Sequence, residues 1–336
     1  MILLIEILES IQKKIKNKYL SIKLKYFLFY VFSLEYVITK KPHSFPVIFQ
    51  IQTINQCNAS CIMCPYSSKK NKERQIMSDS LFEKIVKEVV KNGKNSQIHL
   101  YLQNEPFLDN KLFDRIKLIK KLSKGKIETV IVSNGSLLDD EKISKLIESG
   151  NDITSISVDA FTKDTYDKIR PGLDFEKLLK NVENFSKAPN RNELSVSFLV
   201  QSKNYHELND FKKYWIDRGV TVLIKDLKNR AGILKSYEKI KYRGTKGLFW
   251  KKIKDIFLIK TIKTCPFLLL SFNILVNGDV ILCCNDYNCS IIIGNVKESS
   301  IKEIWNGFKY QNIRKIQYNK QFDKIPMCRD CSTFTD

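Results

Sequence analysis

The sequence predicts an α/β fold, with six strand–helix units in a row followed by a small cysteine-rich unit. Three observations carry this expectation. Apolar periodicity alternates between strand-like runs and helical faces from residue 47 to residue 224. The nine cysteines fall at the two ends of that stretch, three from Cys57 to Cys64 and six from Cys265 to Cys331. Between the two regions, residues 228–263 hold twelve Lys or Arg against two acidic residues.

The elements follow in order. Residues 1–45 read as a basic, helix-prone extension. Leu4, Leu8, Ile11 and Ile15 share one helical face, which would pack on the domain or rest on a membrane surface or a partner. The core, residues 46–227, opens with a strand at Val47–Ile54. A helix over Asp79–Val90 follows, with Ser78 or Asp79 as its cap. Next come a strand at Ile98–Leu102, a helix at Leu112–Leu122, and a strand at Ile127–Val132 closed by the turn signal Ser133-Asn134-Gly135. A helix at Asp140–Ile147, a strand at Ile153–Val158 and a helix at Phe175–Phe185 continue the alternation. The last units are a strand at Leu194–Val200, a helix through Leu208, Phe211 and Trp215, and a strand at Val220–Ile224. Six such units imply a parallel sheet with right-handed crossovers, barrel-like or doubly wound, with the chemistry at the carboxyl ends of the strands. The basic bridge, 228–263, reads as a solvated linker with one helix near Trp250–Ile259, or as a docking surface for an anionic group. In the last unit, 264–336, Phe272–Val276 and Val280–Cys284 flank Asn277-Gly278 as a hairpin. Ser300 and Glu303 form a capping box for a helix through Ile304 and Trp305.

The chain has 336 residues and a formal charge of +21. Nine of its 57 basic residues are Arg, so the excess is nearly all Lys. Sparse Arg argues against nucleic acid, where the guanidinium fork is preferred. The charge suits an anionic ligand or acidic lipid met through the basic segments, or reflects compositional bias. No uncharged apolar run approaches the roughly 20 residues of a spanning helix, and Glu6 and Glu9 interrupt any secretory pattern. A cytoplasmic protein is expected. Clustered cysteines in a reducing compartment point to metal or iron–sulfur ligation.

Cys57-x3-Cys61-x2-Cys64 follows the first strand. Three thiolates on one short loop can hold three irons of a [4Fe–4S] cube and leave the fourth open. A zinc site would want a fourth ligand close by, and neither His43 nor His99 stands at finger spacing. The stretch Cys57-Asn58-Ala59-Ser60-Cys61-Ile62-Met63-Cys64-Pro65 resembles the radical S-adenosylmethionine superfamily. That resemblance implies a partial (β/α)6 barrel. Its cluster would bind S-adenosylmethionine exchangeably and, fed by an electron donor such as flavodoxin or ferredoxin, cleave it to a 5′-deoxyadenosyl radical that abstracts hydrogen from substrate.

Further residues match the family. Gln103-Asn104-Glu105-Pro106 stands where it has a Gly-Gly-Glu or Gly-Glu-Pro motif, so Glu105 would hold the methionine ammonium. Asn104 replaces the usual Gly and tolerates the left-handed region better than most residues. Ser157-Val158-Asp159 resembles the family's Ser-x-Asp segment. The resemblance implies that Ser157 reaches ribose or carboxylate, that Arg170 pairs with the methionine carboxylate, and that Met63 packs near adenine. Ser133 and Asn134 end the third strand, where their side chains can face the cofactor or simply form a turn.

The C-terminal unit resembles the auxiliary-cluster domains called SPASM and twitch, as a small α+β, cysteine-rich module. Cys265, Cys283, Cys328 and Cys331 would ligate one auxiliary [4Fe–4S] cluster, with structural zinc as the alternative. Cys284 could replace Cys283, since neighbours on a strand face opposite sides. Cys289 is spare. Four thiolates leave no open iron, so the auxiliary cluster would carry electrons. The expected reaction is oxidation or rearrangement of a polar small molecule, sugar- or cyclitol-like, with a phosphate or nucleotide suiting the lysine-rich bridge. A peptide-modifying maturase is the alternative. A non-enzymatic basic protein that binds iron–sulfur or RNA is disfavoured by the intact cysteine triple.

Overall fold

The computed structural model describes residues 42–69, 73–93, 96–244 and 265–332. The expected N-terminal helix and the helix near Trp250–Ile259 lie outside the described residues.

One sheet of nine strands organises the chain, in the order β6-β5-β4-β3-β2-β1-β7-β8-β9. Strands β1 (Ile48–Ile51), β2 (Gln97–His99), β3 (Glu128–Ser133), β4 (Ile153–Ser157), β5 (Glu193–Val200) and β6 (Thr221–Asp226) are all parallel. Each crossover steps to the next strand in the same direction. A doubly wound sheet would reverse at a switch point, so the progression selects the barrel-like alternative and leaves the barrel open at β6.

The helices form where apolar spacing and caps coincide. Ser78 caps α1 (Asp79–Asn92), which buries Leu81, Phe82, Ile85, Val86 and Val89. α2 (Leu112–Ser123) buries Leu112, Ile116 and Ile119, Asp139 caps α3 (Asp140–Glu148), and Asp174 caps α5 (Phe175–Lys187). Between β4 and α5 lies a short helix that sequence periodicity missed, α4 (Lys163–Ile169), opened by Thr162. Its seven residues are too few to show a helical period. After α6 (Leu208–Asp217) and β6 comes a single turn, α7 (Tyr237–Ile240).

The C-terminal unit is welded to the barrel. Helix α8 (Pro266–Leu270) runs straight into β7 (Ser271–Ile274), which pairs parallel with β1 through Phe49↔Phe272 and Ile51↔Ile274. The expected hairpin is present between β7 and β8 (Asp279–Ile281), with Asp279 inside the strand rather than in the loop. β9 (Ile292–Asn295) completes the sheet. Ser300 and Glu303 close the capping box of α9 (Ile301–Asn306), followed by α10 (Phe308–Tyr318) and α11 (Pro326–Arg329). Phe49, Phe272, Trp305 and Tyr310 pack ring against ring across the junction, so barrel and C-terminal unit share one core. Among the described residues no helix is long and apolar enough to cross a membrane.

Candidate active site

The first cysteine loop leaves β1 where the sequence suggested a longer strand. Thr53 and Ile54 turn away to pair with Met77 and Ile76, and the loop starts there. It is fastened on several sides. Cys57 N donates to Tyr66 Oη at 2.9 Å, Ile62 N donates to Ile169 O at 3.0 Å, and Ser236 Oγ donates to Ile62 O at 3.2 Å. Asn58 donates to Ser136 Oγ and accepts from Asn134 Nδ2 at 2.8 Å, which ties the loop to the end of β3. Burial pushes the Cys57 thiol up to about 12 and raises Cys61 as well, so both favour the neutral thiol until a metal displaces the proton.

Glu105 is 2% exposed at the end of the loop after β2. One carboxylate oxygen accepts from Ser133 Oγ at 2.8 Å and Phe107 N at 3.2 Å; the other accepts from Asn134 N at 2.8 Å. Burial raises its carboxyl while these donors pull the other way. The second oxygen keeps a lone pair for one more donor, and a cationic donor there would hold the group ionised. The buried pair Asp109–Arg115 at 2.9 Å fixes the chain just beyond it. Asn104 does not use the left-handed region that the motif's usual Gly would suggest. Its Oδ1 accepts from Leu102 N at 3.0 Å, while Nδ2 is buried without a partner. Gly135 is required in the next turn. Its φ is +72°, and a Cβ there would meet Leu178 at 2.5 Å and Ile156 at 2.7 Å.

At the end of β4 the left-handed residue is Asp159, with φ 64°. Its carboxylate accepts from Arg170 Nη2 at 2.6 Å and Leu199 N at 2.7 Å. Arg170 Nη1 lies 3.2 Å from Cys61 Sγ, and its Nε is buried without a partner. Burial works against its charge, while a Cys61 thiolate and the paired Asp159 carboxylate favour the ionised guanidinium. Arg170 therefore stands beside a cysteine of the first loop with one N–H still to offer. Ser157 is half-buried at the strand end, and Met63 is buried in the core on the loop. Ser133 and Asn134 reach Glu105 and Asn58 rather than standing as an isolated turn.

The second cysteine set gathers around a cavity of about 30 Å³, which Cys265, Cys283, Cys328 and Cys331 line together with Leu268, Leu282 and Met327. Cys284 is not on that wall; it lies in the turn after β8, where its charge acts on Arg230 and Tyr287. Burial pushes Cys265 up to about 12 and Cys328 up to about 11. Four soft donors around one apolar cavity match what a cluster cage requires. Gln317 on α10 braces it, donating from Nε2 to Cys328 Sγ at 3.1 Å and accepting from Cys265 N at 3.0 Å. Sequence gave no sign of this glutamine, because its role depends on how α10 docks.

Tyr287, in the loop after β8, reaches the first set, with Oη 3.7 Å from Cys64 Sγ. A cleft of about 370 Å³ opens beside it, lined by Gln52, Asn55, Tyr66, Gln103 and Cys289 among others. None of the residues expected to touch the cofactor lines that cleft, so its size does not mark it as the reaction chamber.

A family profile described as the Radical SAM superfamily matches residues 51–214, and one described as an iron–sulfur cluster-binding domain, SPASM, matches residues 265–332. The chain is 25% identical over 322 residues to a tungsten-containing aldehyde ferredoxin oxidoreductase cofactor-modifying protein of Pyrococcus furiosus, covering 84% of this chain and 86% of that one. It is 21% identical over 289 residues to an S-adenosyl-L-methionine-dependent 2-deoxy-scyllo-inosamine dehydrogenase of Niallia circulans, covering 85% and 92%. Among solved structures, SuiB of Streptococcus suis bound to the precursor peptide SuiA shares the fold, with a TM-score of 0.65 at 15% identity, covering 89% of this chain and 72% of that one. The partial barrel, the three-cysteine loop at the end of its first strand and the four-thiol module welded beside it make this chain a radical S-adenosylmethionine enzyme with a SPASM domain.

Proposed function

We propose that the enzyme oxidises a secondary alcohol on a sugar- or cyclitol-like molecule to a ketone. The observation that carries this reading is the closed set of four thiols. With Cys265, Cys283, Cys328 and Cys331 all facing one cavity, the auxiliary cluster has no open position for substrate, and its role is to take up an electron. The similarity to the 2-deoxy-scyllo-inosamine dehydrogenase along most of both chains supports it.

Two clusters and S-adenosylmethionine, bound here and given one electron by a donor such as flavodoxin or ferredoxin, would supply removal of one hydrogen atom and one electron from the substrate carbon, while the hydroxyl proton would go to solvent. This chain's own residues do the positioning. Cys57, Cys61 and Cys64 hold the first cluster, Glu105 receives the methionine ammonium, and Arg170 offers its free N–H to the carboxylate. Ser157, Asn104 and Met63 stand around the same region. Ser133, Asn134 and Asp159 orient Glu105 and Arg170. The basic segments favour contact with anionic ligands or an acidic membrane surface, and the setting is cytoplasmic.

A second reading, modification of a peptide, rests on the likeness to SuiB with its precursor peptide. Incubating the reconstituted enzyme with polyols and with peptides encoded beside its gene separates the two. Loss of two mass units from a polyol, abolished in Cys328→Ala, is the expected result. A crosslinked peptide with every polyol unchanged would overturn the alcohol reading.

A further inference from the structure

The cleft of about 370 Å³ opens where the end of β1, the loop after β2 and the β7–β8 hairpin meet. Its hydrogen-bonding groups, rather than its size, give it a role. Gln52 and Gln103 both line it, and they are only 6% and 9% exposed. Gln52 Oε1 accepts from Val276 N at 3.4 Å. Gln103 Nε2 donates to Asp286 O at 3.1 Å and to Cys284 O at 3.4 Å. One end of each amide is thereby tied to the C-terminal unit. The other ends, the Nε2 donor of Gln52 and the Oε1 acceptor of Gln103, have no hydrogen bond among the described residues, and both keep access to open space. A largely buried amide left half-satisfied is unfavourable until a ligand or water completes it.

The rest of the wall is polar, and among the described residues it carries no cation. Asp279, on the hairpin, accepts from Asn277 Nδ2 at 2.6 Å and Asn295 Nδ2 at 2.9 Å, with no ion pair among those residues. A phosphate entering this cleft would give up its water without gaining a counter-charge. A hydroxyl meets no such penalty, since it can accept from one amide and donate to the other. Two tyrosines of the wall join the cleft to the first cysteine loop. Tyr66 Oη accepts from Cys57 N at 2.9 Å, and Tyr287 Oη lies 3.7 Å from Cys64 Sγ. The volume is in the range that holds one small ligand.

We infer that this cleft seats hydroxyl groups of the polyol, with Gln52 as donor and Gln103 as acceptor, and that the polyol carries no phosphate. The inference deepens the alcohol-oxidation reading and rests on it for the class of ligand. It departs from the phosphate or nucleotide that the lysine-rich bridge suits.

The test is anaerobic calorimetric titration of the reconstituted holoenzyme, saturated with S-adenosylmethionine, with glucose, myo-inositol and glucose 6-phosphate. Wild type should bind at least one of the two uncharged polyols, and glucose 6-phosphate more weakly than either that binds. Gln52→Leu should weaken polyol binding about tenfold. Asp279→Asn should narrow the gap between glucose and its phosphate. Iron content matching wild type shows that the variants are folded. Cys289 lines the cleft and belongs to neither cysteine set, so its thiol reports occupancy without any substitution. Its alkylation by iodoacetamide, mapped by mass spectrometry, should slow when the polyol is bound. No polyol binding by wild type, an unprotected Cys289, equal binding by Gln52→Leu, or glucose 6-phosphate bound as tightly as glucose would overturn the inference. Binding with protection but no loss of two mass units from either polyol would instead overturn the oxidation reading and leave the cleft assignment standing.

Discussion

Cys57, Cys61 and Cys64 come from eight consecutive residues of one loop, whereas Cys265, Cys283, Cys328 and Cys331 are drawn from the start of α8, the turn after β8 and the region of α11. The first set has polar groups about it: Asp159 pairs with Arg170, Ser133 and Asn134 hold Glu105, and Arg170 Nε stays without a partner. The second is walled by Leu268, Leu282 and Met327. The local set is held by the chain whether or not a cluster is bound. The dispersed set brings together distant segments, so a bound cluster there acts as a crosslink. One set lies among polar groups with donors to spare, the other joins distant parts of the fold.

The largest effect that would sharpen this contrast is on stability. Cys328→Ala with Cys331→Ala should destabilise the protein by about 2–5 kcal/mol, the range for losing a crosslink in a small unit. Cys57→Ala should cost much less. Thermal unfolding of the anaerobic proteins measures both, and equal losses would erase the distinction. A smaller effect is expected at Glu105. Glu105→Ala removes a charge-assisted bond to the cofactor's ammonium and should weaken S-adenosylmethionine binding by about 1.5–3 kcal/mol, read by equilibrium dialysis. Unchanged affinity would mean that Glu105 only caps the turn before Phe107. The smallest concerns Gln317. Gln317→Leu deletes the N–H donated to Cys328 Sγ, and hydrogen bonds to cluster sulfurs help set the potential. The auxiliary cluster should become harder to reduce in an EPR-monitored titration while the first keeps its potential; a shift in the first alone would show that Gln317 braces the wrong site.

Much of the polar site was legible because its residues sit at strand ends in sequence order. The alternation of strands and helices placed the cysteine triple and Glu105 at strand ends, and the resemblance to the radical S-adenosylmethionine superfamily singled out Glu105, Asp159 and Arg170. Arg170's pairing with Asp159 was not visible, since it depends on the short helix α4 that carries Arg170 back toward the loop. The choice between Cys283 and Cys284 was also closed to sequence. Both lie in a turn beyond β8, so strand alternation says nothing of them; of the two, Cys283 lines the cavity with Cys265, Cys328 and Cys331. Gln317 and Gln52 carry no motif at all. One depends on the docking of α10, the other on the β7–β8 hairpin that closes the cleft beside it. How the last unit joins the barrel was hidden for a related reason. The register of β7 on β1 is a long-range pairing that no local pattern records.

The most direct test of the account is anaerobic. The reconstituted protein should hold about eight irons per chain and, given a strong reductant and S-adenosylmethionine, should release 5′-deoxyadenosine. Replacing Cys57, Cys61 and Cys64 with Ala should remove about half the iron and all of the release, while the auxiliary cluster's EPR signal survives. Stoichiometric zinc in place of iron, or cofactor cleavage that persists without the loop cysteines, would contradict it.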